Sequence, residues 1–93
     1  MIDSNSYFDD NVKSLGYSSV DGKSTVGIME PGDYEFGTSS NEEMIVIEGE
    51  LQVTFKDSSE VKVFKNGEKF EVVANSSFKV KSVGQTSYLC KYS

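Results

Sequence analysis

No window of eleven or more residues in this chain repeats apolar side chains at helical spacing, whereas short β-branched and aromatic runs bounded by turn residues recur along its length. Strands are predicted at Val12 to Leu15, Lys23 to Met29, Gly32 to Phe36, Met44 to Glu48, Leu51 to Phe55, Val61 to Phe64, Lys69 to Val73, Ser77 to Val83 and Ser87 to Tyr92. The residues between them carry turn chemistry: Asp21-Gly22, Pro31-Gly32, Glu48-Gly49-Glu50, Asp57-Ser58-Ser59, Asn66-Gly67, Asn75-Ser76 and Gly84. Strands this short and this frequent would leave too many unpaired edges in separate small sheets. The expected fold is therefore all-β, a sandwich or closed barrel. With 93 residues, one domain spanning 1–93 is expected.

The core material is six Phe, five Tyr and many Val and Ile residues. A net charge of -6, from 15 acidic and 9 basic residues with scattered lysines, opposes binding to nucleic acid or anionic membranes. No apolar run reaches membrane-spanning length, and Met1-Ile2-Asp3-Ser4-Asn5 lacks the basic and apolar regions of a signal peptide, so a cytoplasmic location is expected. The single Cys90 lies in the run Tyr88-Leu89-Cys90-Lys91-Tyr92 and reads as a small buried hydrophobe.

The run Met44-Ile45-Val46-Ile47 is apolar at consecutive positions, so its strand is expected to be covered on both faces. A small barrel covers only the inner face, which predicts a second layer or a partner chain, and hence a homodimer. The first eleven residues, with Tyr7-Phe8 between polar neighbours, read as an ordered arm whose aromatics dock on the barrel or on a partner.

The chain contains no histidine. It can build neither a Ser-His-Asp triad nor a Cys-His pair, and it lacks the commonest metal ligand. The absence is informative because of where it falls. From Gly32 the sequence runs Gly-Asp-Tyr-Glu-Phe-Gly-Thr-Ser-Ser-Asn-Glu-Glu-Met-Ile-Val-Ile-Glu-Gly, which resembles the first motif of cupins: a glycine, then His-x-His after five residues, a glutamate, and a second glycine. Thr38 and Ser40 stand at the histidine positions, Glu42 at the glutamate and Gly49 at the second glycine. The second motif begins at Gly67, its Pro-x-Gly segment is replaced by Val73-Ala74-Asn75, and Phe78 stands at its histidine. One carboxylate with hydroxyls is a poor transition-metal site, so a metal-free jelly-roll barrel is expected.

The resemblance extends further. Ser4-Asn5-x-Tyr7-Phe8, Val12-Lys13-Ser14-Leu15-Gly16, Val26-Gly27-Ile28-Met29, Gly32-x-Tyr34-x-Phe36, Glu42-Glu43-Met44 and Thr86-Ser87-Tyr88-Leu89-Cys90-Lys91-Tyr92 are similar to the bacterial pyrimidine/purine nucleoside phosphorylases, single-domain cupins. The resemblance implies cleavage of purine and pyrimidine ribonucleosides by inorganic phosphate, giving free base and ribose 1-phosphate, with phosphate as co-substrate and no cofactor. Lys91 stands where that family favours arginine; lysine keeps the charge but lacks the bidentate fork, which implies a weaker hold on phosphate.

Such chemistry needs groups that orient phosphate, hold the ribose and stabilise the leaving base. A carboxylate accepts hydrogen bonds from two vicinal hydroxyls and favours positive charge on the ribose ring. Glu42 and Glu43 are the candidates; on a strand they face opposite ways, and the motif spacing favours Glu42. Phosphate is expected at Thr38, Ser39 and Ser40, or at Ser76 and Ser77, with Lys91 or Lys79 as the cation. Tyr34, Phe36, Phe78 and Tyr88 are candidates for stacking on a base, since the π face is common to purines and pyrimidines. The competing function is a non-catalytic barrel that binds a small metabolite.

Overall fold

The computed structural model describes residues 2–93. Its strands are β1 (Asp3–Tyr7), β2 (Val12–Ser19), β3 (Gly22–Met29), β4 (Gly32–Gly37), β5 (Glu42–Glu48), β6 (Glu50–Phe55), β7 (Lys62–Lys65), β8 (Lys69–Val72), β9 (Ser77–Ser82) and β10 (Thr86–Tyr92). No helix occurs among the described residues. A six-stranded sheet in the order β1-β2-β3-β10-β5-β8 faces a four-stranded sheet in the order β4-β9-β6-β7, and every pairing is antiparallel. This is the all-β, jelly-roll arrangement of a cupin-type fold. The two sheets share one core, and among the described residues no strand pairing closes them into a continuous ring.

Period-two alternation decides which side chains enter that core. Tyr88 and Cys90 on β10, Met44 and Val46 on β5, and Phe70 and Val72 on β8 point inward from the larger sheet; Leu51, Val53, Phe78 and Val80 answer from the smaller one. Phe78 packs on Phe36 with ring centroids 5.6 Å apart and edge-on to Phe70 at 5.7 Å, and Phe70 meets Phe64 at 4.7 Å. Ring pairs at these separations add to the area they bury.

The N-terminal segment is an ordered arm as expected: its backbone pairs with β2 as a strand, β1, from Asp3↔Gly16 to Tyr7↔Val12, and the Phe8 ring docks 5.1 Å from Tyr34 and 5.4 Å from Phe36. The side chains of β1 are mostly exposed and carry no alternating pattern, so nothing in their polarity announced the strand. Within one chain the run Met44–Ile47 is covered on its inner face alone: Met44 and Val46 are buried, whereas Ile45 is half-buried and Ile47 is exposed on the face that a partner was expected to cover. The β10–β5 pairing slips between Ser87 and Tyr88, so Tyr88 faces Val46 while Ser87 faces Glu48. Ile47 is the extra residue of that bulge.

Two glycines sit where the packing requires them. Gly49, at φ 122°, donates its N–H to Asn66 Oδ1 at 2.6 Å, and a Cβ there would lie 2.6 Å from the Thr86 hydroxyl oxygen. At Gly27 a Cβ would lie 2.6 Å from the Tyr88 hydroxyl oxygen and 2.8 Å from the Lys13 carbonyl oxygen. The hydroxyl end of the Tyr88 ring thus sits against the backbone of β3 because position 27 has no side chain. Gly84, by contrast, has open space where a Cβ would go. We expect Gly27→Ala to destabilise the protein by about 2 kcal/mol through overpacking, and Gly84→Ala to stay within about 0.5 kcal/mol of the parent, as read from urea unfolding. Equal midpoints for the two variants would contradict this packing.

Candidate active site

A cavity of about 160 Å³ lies between the sheets at one end of the core. Its floor is made by the central strands of the larger sheet. β10 lies between β3 and β5, so Cys90 pairs with Thr25 on one side and Met44 on the other, while Tyr92 pairs with Glu42. These side chains share the inner face with Tyr88. Phe36 and Phe78 close the cavity from the smaller sheet, Ser14 and Met29 complete the floor, and Tyr7 borders it from the edge strand β1.

Glu42 is the only carboxylate that lines this cavity among the described residues. Its first residue position on β5 points it inward, where it is half-buried among aromatic and sulfur-bearing side chains. Burial raises its pKa above the ordinary 4.5, and the Cys90 thiol, which donates to Glu42 Oε1 at 3.5 Å, partly offsets that rise. The same burial, reinforced by the Glu42 carboxylate, pushes the Cys90 thiol up to about 12. Cys90 is therefore a protonated donor, not a nucleophile, in keeping with the reading of it as a small buried residue. Burial also lifts Tyr88 to about 12 and raises Tyr92, whose hydroxyl lies 3.2 Å from Thr25 Oγ1. The cavity thus presents one carboxyl group among hydroxyl and thiol donors and aromatic faces.

Of the residues singled out from sequence, the fold brings Glu42, Phe36, Phe78 and Tyr88 to this cavity. Glu43 points to the outer face, where it pairs with Lys69 at 3.3 Å. Lys91 follows Cys90 and so faces outward and is exposed. Tyr34 is buried in the core, donates its hydroxyl to the Glu30 carbonyl at 2.7 Å and borders an outer cleft instead. Thr38 is committed to structure: its hydroxyl donates to the Val73 carbonyl at 2.7 Å and accepts from the Ser76 N–H at 2.9 Å, tying the β4–β5 loop to the β8–β9 turn. Ser39 and Ser40 lie on that loop and do not border the cavity. Lys79 is exposed on the outer face of β9.

Sequence reasoning passed over Cys90 and Tyr92 as site residues, although alternation from Tyr88 along β10 places both on the same face. Met44 likewise follows from Glu42 by alternation along β5, whereas Thr25 and Ser14 had no such signal, because their places depend on cross-strand register. Tyr7 lay in a segment read as an arm.

Cupin-type folds commonly hold a metal, and the donors here do not fit one. The cavity offers one carboxylate and one high-pKa thiol, Phe78 has no donor atom, and among the described residues no three Cys, Asp or Glu side chains cluster.

Comparison with known proteins gives a consistent pattern. A family described as pyrimidine/purine nucleoside phosphorylase matches residues 2–92. Proteins of that name from Pseudomonas savastanoi pv. phaseolicola and Vibrio cholerae are each 49% identical over 92 residues; the alignments cover 99% of this chain, and 99% and 97% of the respective relatives. A protein of unknown function from Vibrio parahaemolyticus has the same fold, with a TM-score of 0.97 at 41% identity over 100% of this chain and 99% of that one. A putative ethanolamine utilization protein Q from Salmonella typhimurium, with a TM-score of 0.74 at 15% identity over 97% of this chain and 91% of that one, shares the fold alone.

The raised pKa of Glu42 makes a pH prediction. Between 4.5 and its folded value the native state holds a proton that the unfolded chain has released, so stability falls as pH rises through that window. Below 4.5 the penalty is absent. Glu42→Gln removes it, so this variant should gain stability relative to the parent as pH rises from 4 to 7, measured by thermal unfolding. A variant that loses ground over that range would contradict the desolvation of Glu42.

Proposed function

The chain belongs to the pyrimidine/purine nucleoside phosphorylase family, and we propose that it cleaves both purine and pyrimidine ribonucleosides with inorganic phosphate in the Glu42 cavity, without a metal. The observation that carries this reading is a single desolvated carboxylate set among aromatic faces. In the reaction a phosphate oxygen bonds to C1′ as the C1′–N bond breaks. The bonding pair leaves on the base nitrogen, and the proton of hydrogen phosphate ends on the base, giving ribose 1-phosphate.

Each cavity group has a task in that step. Ionised Glu42 accepts hydrogen bonds from the ribose hydroxyls and stabilises positive charge as it develops on the ring; in a site poor in water that interaction is stronger than in solution. Cys90 holds the carboxylate in place through its S–H. Phe36, Phe78 and Tyr88 offer π surface to the base, which all bases share, so their stacking accepts purines and pyrimidines alike. A cytoplasmic location fits an unpaired, buried thiol.

The outer face of the six-stranded sheet supports a homodimer. Leu15 pairs with Val26, Val26 with Leu89, and Leu89 with Ile45, an apolar row across β2, β3, β10 and β5, with Ile28 and Ile47 exposed nearby. A row crossing four strands is the kind of patch that a two-fold axis pairs with itself.

Two measurements follow. Purified protein mixed with uridine or adenosine should release base only when phosphate is present, and Glu42→Gln should lower kcat/KM about 100-fold while Glu43→Gln changes it less than about twofold. Base release independent of phosphate would reject phosphorolysis in favour of hydrolysis, and no release at all would favour the metabolite-binding barrel. Light scattering at micromolar concentration should give a dimer mass that Val26→Glu reduces to that of a monomer; a monomeric parent would remove the dimer.

A further inference from the structure

The cavity that holds Glu42 is too small and of the wrong sign to hold both substrates. Ligand sites for molecules of this class run from about 300 Å³ upward, and this one measures about 160 Å³ and includes no lysine or arginine among the described residues. A phosphate dianion brought beside Glu42 alone would meet like charge. The anion must therefore be held next door, close enough to reach C1′ from the side opposite the base.

A groove of about 420 Å³ adjoins the cavity and shares three of its residues, Tyr7, Thr25 and Tyr92. One cation, Lys23, borders it, with the hydroxyls of Ser18 and Ser24 beside it. The partition between the two spaces is thin and polar: Thr25 Oγ1 and the Tyr92 hydroxyl lie 3.2 Å apart, and Tyr92 is the cross-strand partner of Glu42. Tyr7 is half-exposed and lies at the end of β1, which pairs with a single neighbour. It is followed by Phe8, Asp9 and Asp10, all at positive φ. Phe8 is anchored, its ring 5.1 Å from Tyr34 and 5.4 Å from Phe36 and its carbonyl accepting from Asn11, so movement at this wall falls to the half-exposed Tyr7 side chain rather than to the strand end. Of the other lysine-bearing clefts, the one at Lys56 and Lys79 meets the cavity only at Phe78, which is 2% exposed, stacked on Phe36 and edge-on to Phe70; the one at Lys79 and Lys81 shares no residue with the cavity, and the one at Lys13 shares only Ser14.

We propose that this groove is the phosphate subsite of the enzyme, with Lys23 as its cation and Tyr7 as the movable partition across which nucleoside and phosphate meet. The inference rests on the phosphorolysis reading above. With the base against Phe36 and Phe78, the ribose lies beside Glu42 and Tyr92, and phosphate approaches past the Thr25 and Tyr92 hydroxyls, opposite the departing base. That is the in-line arrangement the displacement requires. Lys23 supplies charge-assisted hydrogen bonds to the phosphate oxygens. Asp3 also borders the groove and opposes the anion.

The test varies phosphate at saturating uridine in the full-length protein. Lys23→Gln, an exposed position whose replacement leaves the core untouched, should raise the KM for phosphate about fivefold to tenfold and change the KM for uridine less than about twofold. Asp3→Asn should lower the KM for phosphate. Tyr7→Ala should raise both KM values together, because both spaces share it. Lys79→Gln and Lys91→Gln should leave the KM for phosphate unchanged. An unchanged phosphate KM in Lys23→Gln, or a rise in Lys79→Gln or Lys91→Gln instead, overturns the subsite. Unaltered KM values in a folded Tyr7→Ala variant overturn the partition. A parent protein that releases no base with phosphate would overturn the phosphorolysis reading itself, a result these variants cannot mimic.

Discussion

The pairing of β10 with β3 on one side and β5 on the other is the constraint on which the site depends. A strand between two antiparallel neighbours has every side chain assigned to a face, and a slip of one residue would exchange the two sets. In the observed register Tyr88, Cys90 and Tyr92 face the core together with Thr25, Met44 and Glu42. The bulge at Ser87 and Tyr88 absorbs one residue of β5 before this stretch begins, so the rest of the pairing stays in phase. Gly27 then lets the Tyr88 ring lie against the β3 backbone, leaving room above it for a cavity.

That register forces a carboxylate into a region built to exclude water. Burying a charge without compensation is expensive, and the protein offsets only part of the expense, with one thiol donor to Glu42. A fold selected for stability alone would place an apolar residue at position 42. The neighbouring Glu43 shows the contrast: the same side chain one residue later reaches the surface and a lysine, where such a pair contributes about 1 kcal/mol or less. In the proposed reaction the desolvated Glu42 carboxylate is the group that holds the ribose, with the ring faces around it and the hydroxyls beyond it.

Much of this was legible in the sequence because period-two alternation and turn residues are local signals. The strands from Val12 onward, the inward Glu42 against an outward Glu43, and the inward Phe78 all follow from counting along the chain. Two things were not legible. β1 is held by backbone hydrogen bonds and its side chains carry no pattern, so it read as an arm, and Tyr7 was missed with it. The choice among hydroxyls failed for a related reason: Thr38 stands at a ligand position of the motif, yet its hydroxyl is consumed in joining two loops. Thr25, which nothing in its local sequence distinguishes, reaches the cavity because it lies opposite Cys90. Motif spacing locates a residue along the chain, whereas a site is assembled across it.

The central claim is that Glu42 holds the ribose of a nucleoside inside the cavity between the sheets. A crystal structure with phosphate and an uncleavable ribonucleoside bound tests it most directly. The account predicts ribose hydroxyls within hydrogen-bonding distance of the Glu42 carboxylate and the base against Phe36 and Phe78. A nucleoside bound on an outer face, with Glu42 still paired only to Cys90, would contradict it.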